Sequence, residues 1–429
     1  MKVVLIHPSS GNQLLKVPPL GLAYLAAVLK KNNIPVKIVD LSVENVNPYT
    51  YLKHEKPNII GISSIITNAS QALELATQTK KVLPESYVVM GGPYPSMMGT
   101  RLLTKHREVD ATLIGEAEHT FLELVKRLQN NQNISDIDGL VFRQENAVKS
   151  NPPPSPISPL DKVPFPAREE LKMQLYGENA GVVFTSRGCP QQCIFCNRPV
   201  FGRRWRGHSP EYVLKEIGHL KSEYGLSTLS VLDDNFTVDL DRAKKILEGI
   251  IAKKWRLDIY FWNGMRVDHI TKTLVTKLKQ AGCIAINFGV ESVDPYVMSF
   301  IRKGVSLDQI EQAIRLTREA GIRANVFLMI GNPGDTLKSA DRIIDFVEKM
   351  HVDGVHLSMA TPLLGTKFWD WVENNGHWLE YDREELLDWP VDDTEQVFPV
   401  FETTDFTAKE RSETYSKIRN FLKSREFIL

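Results

Sequence analysis

The sequence is short of net charge, of cysteine and of long apolar runs. Its 429 residues hold 52 lysines and arginines against 52 aspartates and glutamates. A nucleic-acid binder usually carries a basic surplus or a basic face, so this balance argues against that class. The opening MKVVLIHPSS contains an apolar run shorter than the roughly 7–15 residues of a signal-peptide core. No stretch approaches the ~18 apolar residues that mark a membrane-spanning helix. Four cysteines are too few for a disulfide framework in a chain of this size. No internal repeat or long low-complexity tract occurs. These absences predict a cytoplasmic protein with no membrane span and no nucleic-acid partner. Hydrophobic residues at 42% and charged residues at 24% are ordinary for a globular protein. The length accommodates two or three domains.

Residues 1–150 alternate short apolar runs with helical patterns. Val3–Ile6, Val36–Val39, Ile59–Ile62, Val88–Met90 and Thr112–Ile114 read as strands, and Leu20–Lys30, Ala69–Val82 and Glu118–Leu128 as helices. Continuous apolar strands separated by helices predict a parallel sheet covered on both faces. The expectation is an α/β, Rossmann-like, doubly wound domain with its ligand crevice beyond the carboxyl ends of the strands. Seven prolines stand between Pro152 and Pro166. Neither a helix nor a central strand tolerates them, so residues 151–179 read as a stiff linker. A second series then runs through strands Val182–Thr185, Thr228–Leu232, Asp258–Phe261, Ala285–Phe288, Asn325–Ile330 and Gly354–Ser358. The helical patterns Pro210–Tyr224, Leu240–Lys253, Thr271–Gln280, Leu307–Ala320 and Leu337–Met350 separate them. Six βα units over 180–366 predict a partial barrel with its chemistry at the carboxyl ends of the strands. Residues 367–429, with Trp369, Trp371, Trp378, Trp389 and a helical Thr407–Lys423, read as a small, mostly helical cap.

Three of the four cysteines lie within eight residues, as Cys189-x3-Cys193-x2-Cys196, directly after the first strand of the second series. Soft thiolates on a short loop suit an iron–sulfur cubane. Three thiolates hold three of its four irons and leave the fourth for a small molecule. The amino and carboxylate groups of S-adenosylmethionine fit that vacancy. A structural zinc site is the competing reading, but it wants four ligands, usually as paired C-x2-C units. Cys283 is 87 residues beyond Cys196 and reads as a small buried hydrophobe.

The loop resembles that of the radical S-adenosylmethionine superfamily, and the segments after it strengthen the likeness. Val231–Phe236, with Asp233 and Asn235, resembles the second-strand segment that meets the amino group of S-adenosylmethionine. Asn287–Ser292, with Glu291 and Ser292, resembles the fourth-strand segment at the ribose or methionine part. Met329–Thr336, with Gly331, resembles the fifth-strand turn near adenine, although Asp335 stands where glutamate is usual. Thr361–Thr366 resembles the sixth-strand exit. The likeness covers about residues 180–366, and it implies that Phe195 in the loop also borders the cofactors. Each segment alone also reads as a turn or cap, because Gly, Pro, Asn and Asp dominate such turns. Arg266, after the third strand, suits a carboxylate such as that of methionine through its planar fork, or else a structural ion pair. Phe201–Arg206 reads as an anion-binding stretch or as a solvated surface segment.

In the first domain, Leu20-Gly21, Ser63-Ser64, Gly91-Gly92-Pro93 and Gly115-Glu116 cluster at predicted strand ends and at the first helix. Small residues there let backbone approach a bulky ligand. The set resembles the cobalamin-binding domain that precedes the radical barrel in one branch of the superfamily. A sheet retained only for packing is the competing reading. The mutase-type D-x-H-x-x-G motif is absent, so the lower ligand of a bound corrin is expected not to be histidine. The resemblance thus implies a 4Fe–4S cluster, S-adenosylmethionine and cobalamin, with an electron donor such as flavodoxin or ferredoxin. The expected activity is methylation of an unactivated carbon of a small-molecule or natural-product substrate. Cyclisation, ring contraction or another rearrangement without methyl transfer is the alternative enzyme, and a cobalamin sensor or carrier the alternative outside catalysis.

Overall fold

A computed structural model describes residues 1–9, 16–145, 147–380, 382–383, 385–387 and 398–427. The chain divides into two compact units. The first comprises Met1–Val182, Arg198–Arg206 and Asp382–Trp389; the second comprises Val183–Asn197, Gly207–Tyr381 and Pro390–Leu429.

The first unit is built on β1 (Val3–His7), α1 (Leu20–Lys31), β2 (Val36–Asp40), α2 (Pro48–Glu55), β3 (Ile59–Ser63), α3 (Ala69–Val82), β4 (Tyr87–Gly91), α4 (Pro93–Met98), α5 (Thr100–Lys105), β5 (Ala111–Leu113), α6 (Glu118–Gln129), β6 (Leu140–Gln144) and β7 (Ala147–Ser150). The strands form one sheet in the order β2-β1-β3-β4-β5-β6-β7. The first four pairings are parallel, and Val3 stands opposite both Val36 and Ile59. Val3 to Ile6 are fully buried, as a strand covered by helices on both faces requires. The strand order reverses between β1 and β3, which opens a crevice where the connections part company. The antiparallel β6 and β7 extend the far edge. The proline-rich segment is packed within this unit. Ile157, Leu160 and Val163 are buried, and the Ala167 N–H donates to the Ala23 carbonyl at 2.9 Å.

The second unit contains β8 (Val182–Val183), β9 (Ser186–Arg187), β10 (Arg206–Gly207), α7 (Pro210–Tyr224), β11 (Thr228–Val231), α8 (Leu240–Ala252), β12 (Asp258–Met265), α9 (Lys272–Ala281), β13 (Cys283–Glu291), α10 (Pro295–Phe300), α11 (Leu307–Glu319), β14 (Arg323–Ile330), α12 (Leu337–Met350), β15 (Gly354–Met359), α13 (Lys367–Asn375), β16 (His377–Trp378), β17 (Phe401–Glu402) and α14 (Ala408–Ser424), with its edge strands β8 and β10 at the unit boundary. Six strands form a sheet in the order β15-β14-β13-β12-β11-β8, and the pairings from β11 to β15 are parallel. Helix signals explain where the chain turns. Ser209 accepts from the Tyr212 N–H with Pro210 at the first helical position, and Gly225 closes α7 in the left-handed region. Gly282 closes α9 at φ 104°, where a Cβ would lie 1.9 Å from the Leu257 carbonyl oxygen. Ile217, Leu247, Phe261, Ile286, Val326 and Ile343 share one core. Tyr415, Ile418 and Leu422 of α14 enter the same core, so the final helix belongs to the barrel's packing. No helix among the described residues is long and apolar enough to cross a membrane.

Candidate functional site

At the carboxyl end of the second unit's sheet, the three-cysteine loop is held from several sides. Cys189 and Cys193 are buried, Cys196 is half-buried, and none is in a disulfide. The Ile194 N–H donates to the Ile301 carbonyl at 3.1 Å, and the Ile194 carbonyl accepts from the Phe368 N–H at 3.1 Å. The Asn197 amide donates to the Leu364 carbonyl at 3.0 Å. Ile194 and Phe195 pack with Phe368, Phe401, Trp371 and Trp378, an apolar cover over one side of the loop. The tryptophans expected to form core therefore do so at Trp369, Trp371 and Trp378. Trp389 lies outside the described residues. No three His, Cys, Asp or Glu side chains among the described residues converge on a point that one metal ion would need. A cubane makes no such demand, because each thiolate takes its own iron.

Beyond β11, the residues expected to touch cofactor brace this loop. Asp233 is buried, and its carboxylate accepts from the Thr185 N–H at 2.6 Å, from the Thr185 hydroxyl and from the Ser186 hydroxyl at 2.6 Å. Burial raises its pKa, while Arg242 and the three donors oppose that shift. Asp234 accepts from the Gly188 N–H at 3.1 Å, immediately before Cys189. The Asn235 amide stands 3.9 Å from the Cys189 Sγ, and its oxygen accepts from the Thr237 N–H and hydroxyl at 3.2 Å. Through these donors the Asp233 carboxylate braces the segment that leads into the cysteine loop.

The ends of β12 and β13 carry two ion pairs. Arg266 forks onto Asp268 through two 2.9 Å contacts and donates to the Lys303 carbonyl at 3.1 Å. A carboxylate partner for Arg266 is thus present in the chain itself, two residues on, as the ion-pair alternative expects. Glu291, at φ 68°, pairs with Lys303 at 2.9 Å. The Lys303 ammonium also stands 5.9 Å from the centroid of the Phe195 ring, within cation–π range. Ser292 is buried, and its hydroxyl accepts from the Asp294 N–H at 3.2 Å. Lys303 carries no motif signal; only its placement beside Glu291 and Phe195 reveals it.

The turn after β14 is organised by Asp335. Its carboxylate accepts from the Gly331 and Asn332 N–H groups at 3.0 and 3.1 Å and from the Ser339 hydroxyl at 2.6 Å. The shorter aspartate therefore suits this turn, because its own backbone lies within reach of the N–H groups it holds. Burial pushes its pKa up to about 6 against those hydrogen bonds and the attraction of Arg411. Arg411 of α14 donates to the Gly331 carbonyl at 3.1 Å and the Phe406 carbonyl at 2.9 Å.

In the first unit, Ser63, Ser64, Gly91, Gly92 and Pro93 come together at the ends of β3 and β4. The Ser64 N–H donates to the Gly91 carbonyl at 2.8 Å, and the Tyr94 N–H to the Ser64 carbonyl at 3.0 Å. Gly92 has φ 103°, and a Cβ there would lie 2.8 Å from the Ser64 oxygen, so the close approach demands glycine. The Gly115 N–H donates to the Ser96 hydroxyl at 3.1 Å. Leu20 is buried at the start of α1, while a Cβ on Gly21 would meet nothing within 4 Å. Glu116 follows Gly115 in the same turn. It is buried and paired with Arg206, which also donates to the Ile157 carbonyl at 2.9 Å. Arg206 of the basic stretch thereby serves a structural pair. At the end of β1, the buried Nδ1 of His7 has no hydrogen-bond partner among the described residues. Burial holds its pKa below the usual imidazole range, with Asp40 opposing.

A doubly wound sheet with a strand-order reversal, together with a six-stranded sheet bearing a three-cysteine loop, defines a two-unit α/β protein with a candidate cluster loop. Comparison with known proteins makes the family explicit. The family model described as the radical SAM superfamily matches residues 183–347, and that described as a B12 binding domain matches residues 11–125. The chain is 32% identical to an uncharacterised methyltransferase of Pyrococcus horikoshii over 97% of this chain and 91% of that protein. It is 27% identical to the anaerobic magnesium-protoporphyrin IX monomethyl ester cyclase of a Synechocystis species, over 74% of this chain and 65% of that one. The fold is shared with the radical S-adenosylmethionine methyltransferase TsrM from Kitasatospora setae, solved with cobalamin and a 4Fe–4S cluster bound. That structure matches with TM-score 0.76 and 19% identity over 89% of this chain and 81% of that one. The chain belongs to the radical S-adenosylmethionine superfamily, in the branch that carries a cobalamin-binding domain. Its cofactors are a 4Fe–4S cluster, S-adenosylmethionine and cobalamin.

Proposed function

We propose that the enzyme methylates an unactivated carbon of a small-molecule substrate, with Cys189, Cys193 and Cys196 as the cluster ligands. The observation that carries the reading is the unbridged three-thiol loop, buried under an aromatic cover at the carboxyl end of a parallel sheet. The near full-length identity to a methyltransferase of Pyrococcus horikoshii favours methyl transfer. When bound, the cofactors would supply reductive cleavage of S-adenosylmethionine, hydrogen abstraction from the substrate and delivery of a methyl group.

The chain's own residues orient and shield. Asp233 and Asp234 fix the backbone before Cys189, and Phe368, Trp371 and Phe401 cover one side of the loop. Glu291, Ser292 and the Gly331 turn border the S-adenosylmethionine pocket in this reading. Ser63, Ser64, Gly91, Gly92, Pro93 and Gly115 line the cobalamin crevice, with residues 1–150 as the corrin domain and 180–366 as the barrel. The orphaned His7 Nδ1 at the strand-order reversal supports a polar ligand there. A one-electron donor of flavodoxin or ferredoxin type would serve the cluster, and unbridged cysteines suit the reducing cytoplasm.

Anaerobic reconstitution with iron, sulfide and cobalamin, followed by product analysis, tests the reading. Methylation yields S-adenosylhomocysteine and 5′-deoxyadenosine together. The identity to the Synechocystis cyclase favours a second reading, a rearrangement that yields 5′-deoxyadenosine without stoichiometric S-adenosylhomocysteine.

A further inference from the structure

The turn after β14 is completed by a side chain from far outside it. Arg411, on α14, is almost fully buried and lies beyond the residues that the radical SAM family model matches. Its guanidinium has four neighbours. It donates to the carbonyls of Gly331 and Phe406 at 3.1 and 2.9 Å, and to the Thr403 hydroxyl at 3.4 Å. It stacks 4.1 Å from the Phe401 ring centroid. Gly331 is cut to receive it. At φ 89°, a Cβ on Gly331 would stand 2.7 Å from the Arg411 Nη1. On the other side of the same glycine, the Gly331 N–H donates to Asp335, whose charge attracts Arg411. Asp335 also accepts from the Asn332 N–H at 3.1 Å, so the peptide between Gly331 and Asn332 is held at its carbonyl by a cation and at its amide by an anion.

We infer that Arg411 is a positioning residue for S-adenosylmethionine, fixing the turn that receives the adenine moiety, and that α14 is therefore part of the cofactor site. The inference rests on the reading of this turn given above. A planar fork spanning two carbonyls restrains orientation as well as distance, which a point charge does not. The aromatic face of Phe401 sets the plane of the fork and limits its rotation. Arg411 meets the turn through the Gly331 carbonyl and acts on the ligand only through the backbone it holds.

Equilibrium dialysis of S-adenosylmethionine and of 5′-deoxyadenosine against anaerobically reconstituted protein tests this, with iron content and thermal unfolding measured in parallel. Arg411→Met should weaken both ligands by about tenfold, the effect of losing one charge-assisted hydrogen bond. Iron content should stay at the wild-type level, because the cysteine loop has its own braces. Arg411→Lys should recover part of the loss. Asp335→Asn keeps an acceptor for the two N–H groups but removes the opposing charge, and it should give a smaller loss of the same kind. Wild-type affinity in a folded Arg411→Met protein would overturn the inference. Should that variant fail to fold, wild-type affinity in both Arg411→Lys and Asp335→Asn would overturn it equally. If the wild-type protein binds neither ligand, the assignment of the turn itself fails, whatever the variants do.

Discussion

The strand ends of the two units present opposite surfaces. In the first unit they offer glycine, serine and backbone: Gly92 at φ 103° against the Ser64 carbonyl, and Gly115 donating to Ser96. In the second unit they offer charged side chains that hold other parts of the chain: Asp233 on Thr185 and Ser186, Arg266 on Asp268, Glu291 on Lys303, Asp335 on Gly331 and Asn332. A large, rigid, mostly uncharged ligand is best met by close backbone approach. A reactive cluster and a charged cosubstrate need loops whose geometry is over-determined. The comparison teaches that Asp233 and Asp335 of the second unit brace loops through hydrogen bonds, while Gly92 of the first allows backbone to approach backbone closely.

Four substitutions break or sharpen this contrast. Cys193→Ala should abolish iron binding and 5′-deoxyadenosine formation while corrin retention persists, measured by iron assay, product analysis and absorbance after gel filtration. Asp233→Leu strands one buried N–H and two hydroxyls. At about 1–3 kcal/mol for each donor left unpaired, and with hydroxyls free to turn elsewhere, the cost should be about 3 kcal/mol. Denaturant unfolding and iron retention report it. Gly92→Ala should cost about 1–3 kcal/mol from strain at positive φ and lower corrin retention, with iron content unchanged; equal loss of both cofactors would erase the distinction between the units. Cys283→Ala should cost about 1 kcal/mol as a small core deletion and leave iron content intact. Burial pushes that thiol up to about 12, so it stays protonated within the core.

A pH measurement adds a fifth. The Asp335 carboxyl, pushed up to about 6 by burial, lies above its unfolded value of 3.8. Between those values the folded chain keeps a proton that the unfolded chain has released. Its contribution to stability is therefore full below the lower value and declines as pH rises through the higher one. Asp335→Asn should flatten the stability profile in that window, read from denaturant midpoints across it.

Much of this was legible in the sequence. Helices Ala69–Val82, Pro210–Tyr224 and Leu337–Met350 fall where their periodicity predicts. The cysteine loop and the strand-end glycines were visible because chemistry and backbone freedom restrict residue type there. Strands β12 and β13 run longer than predicted, to Met265 and Glu291, because Asn263-Gly264 and Gly289 interrupt the apolar run where the register shifts, while the pairing continues beyond. The β6–β7 hairpin was missed, since AVKS carries no alternation. The ion pair of Arg266 stood as one of two readings, whereas the partner of Glu116 was hidden for another reason. A carboxylate or guanidinium reads the same whether its partner is a ligand or another residue, and Arg206 lies 90 positions from Glu116.

The contact between Arg411 and Gly331 spans 80 residues of chain. Such a contact closes a long loop, so its entropy must be met late, after the strands between have paired. A newly made polypeptide that has released every cysteine and every glycine of its motifs still lacks the guanidinium that steadies one of its turns. The order of synthesis therefore makes α14 the last of this turn's braces to arrive.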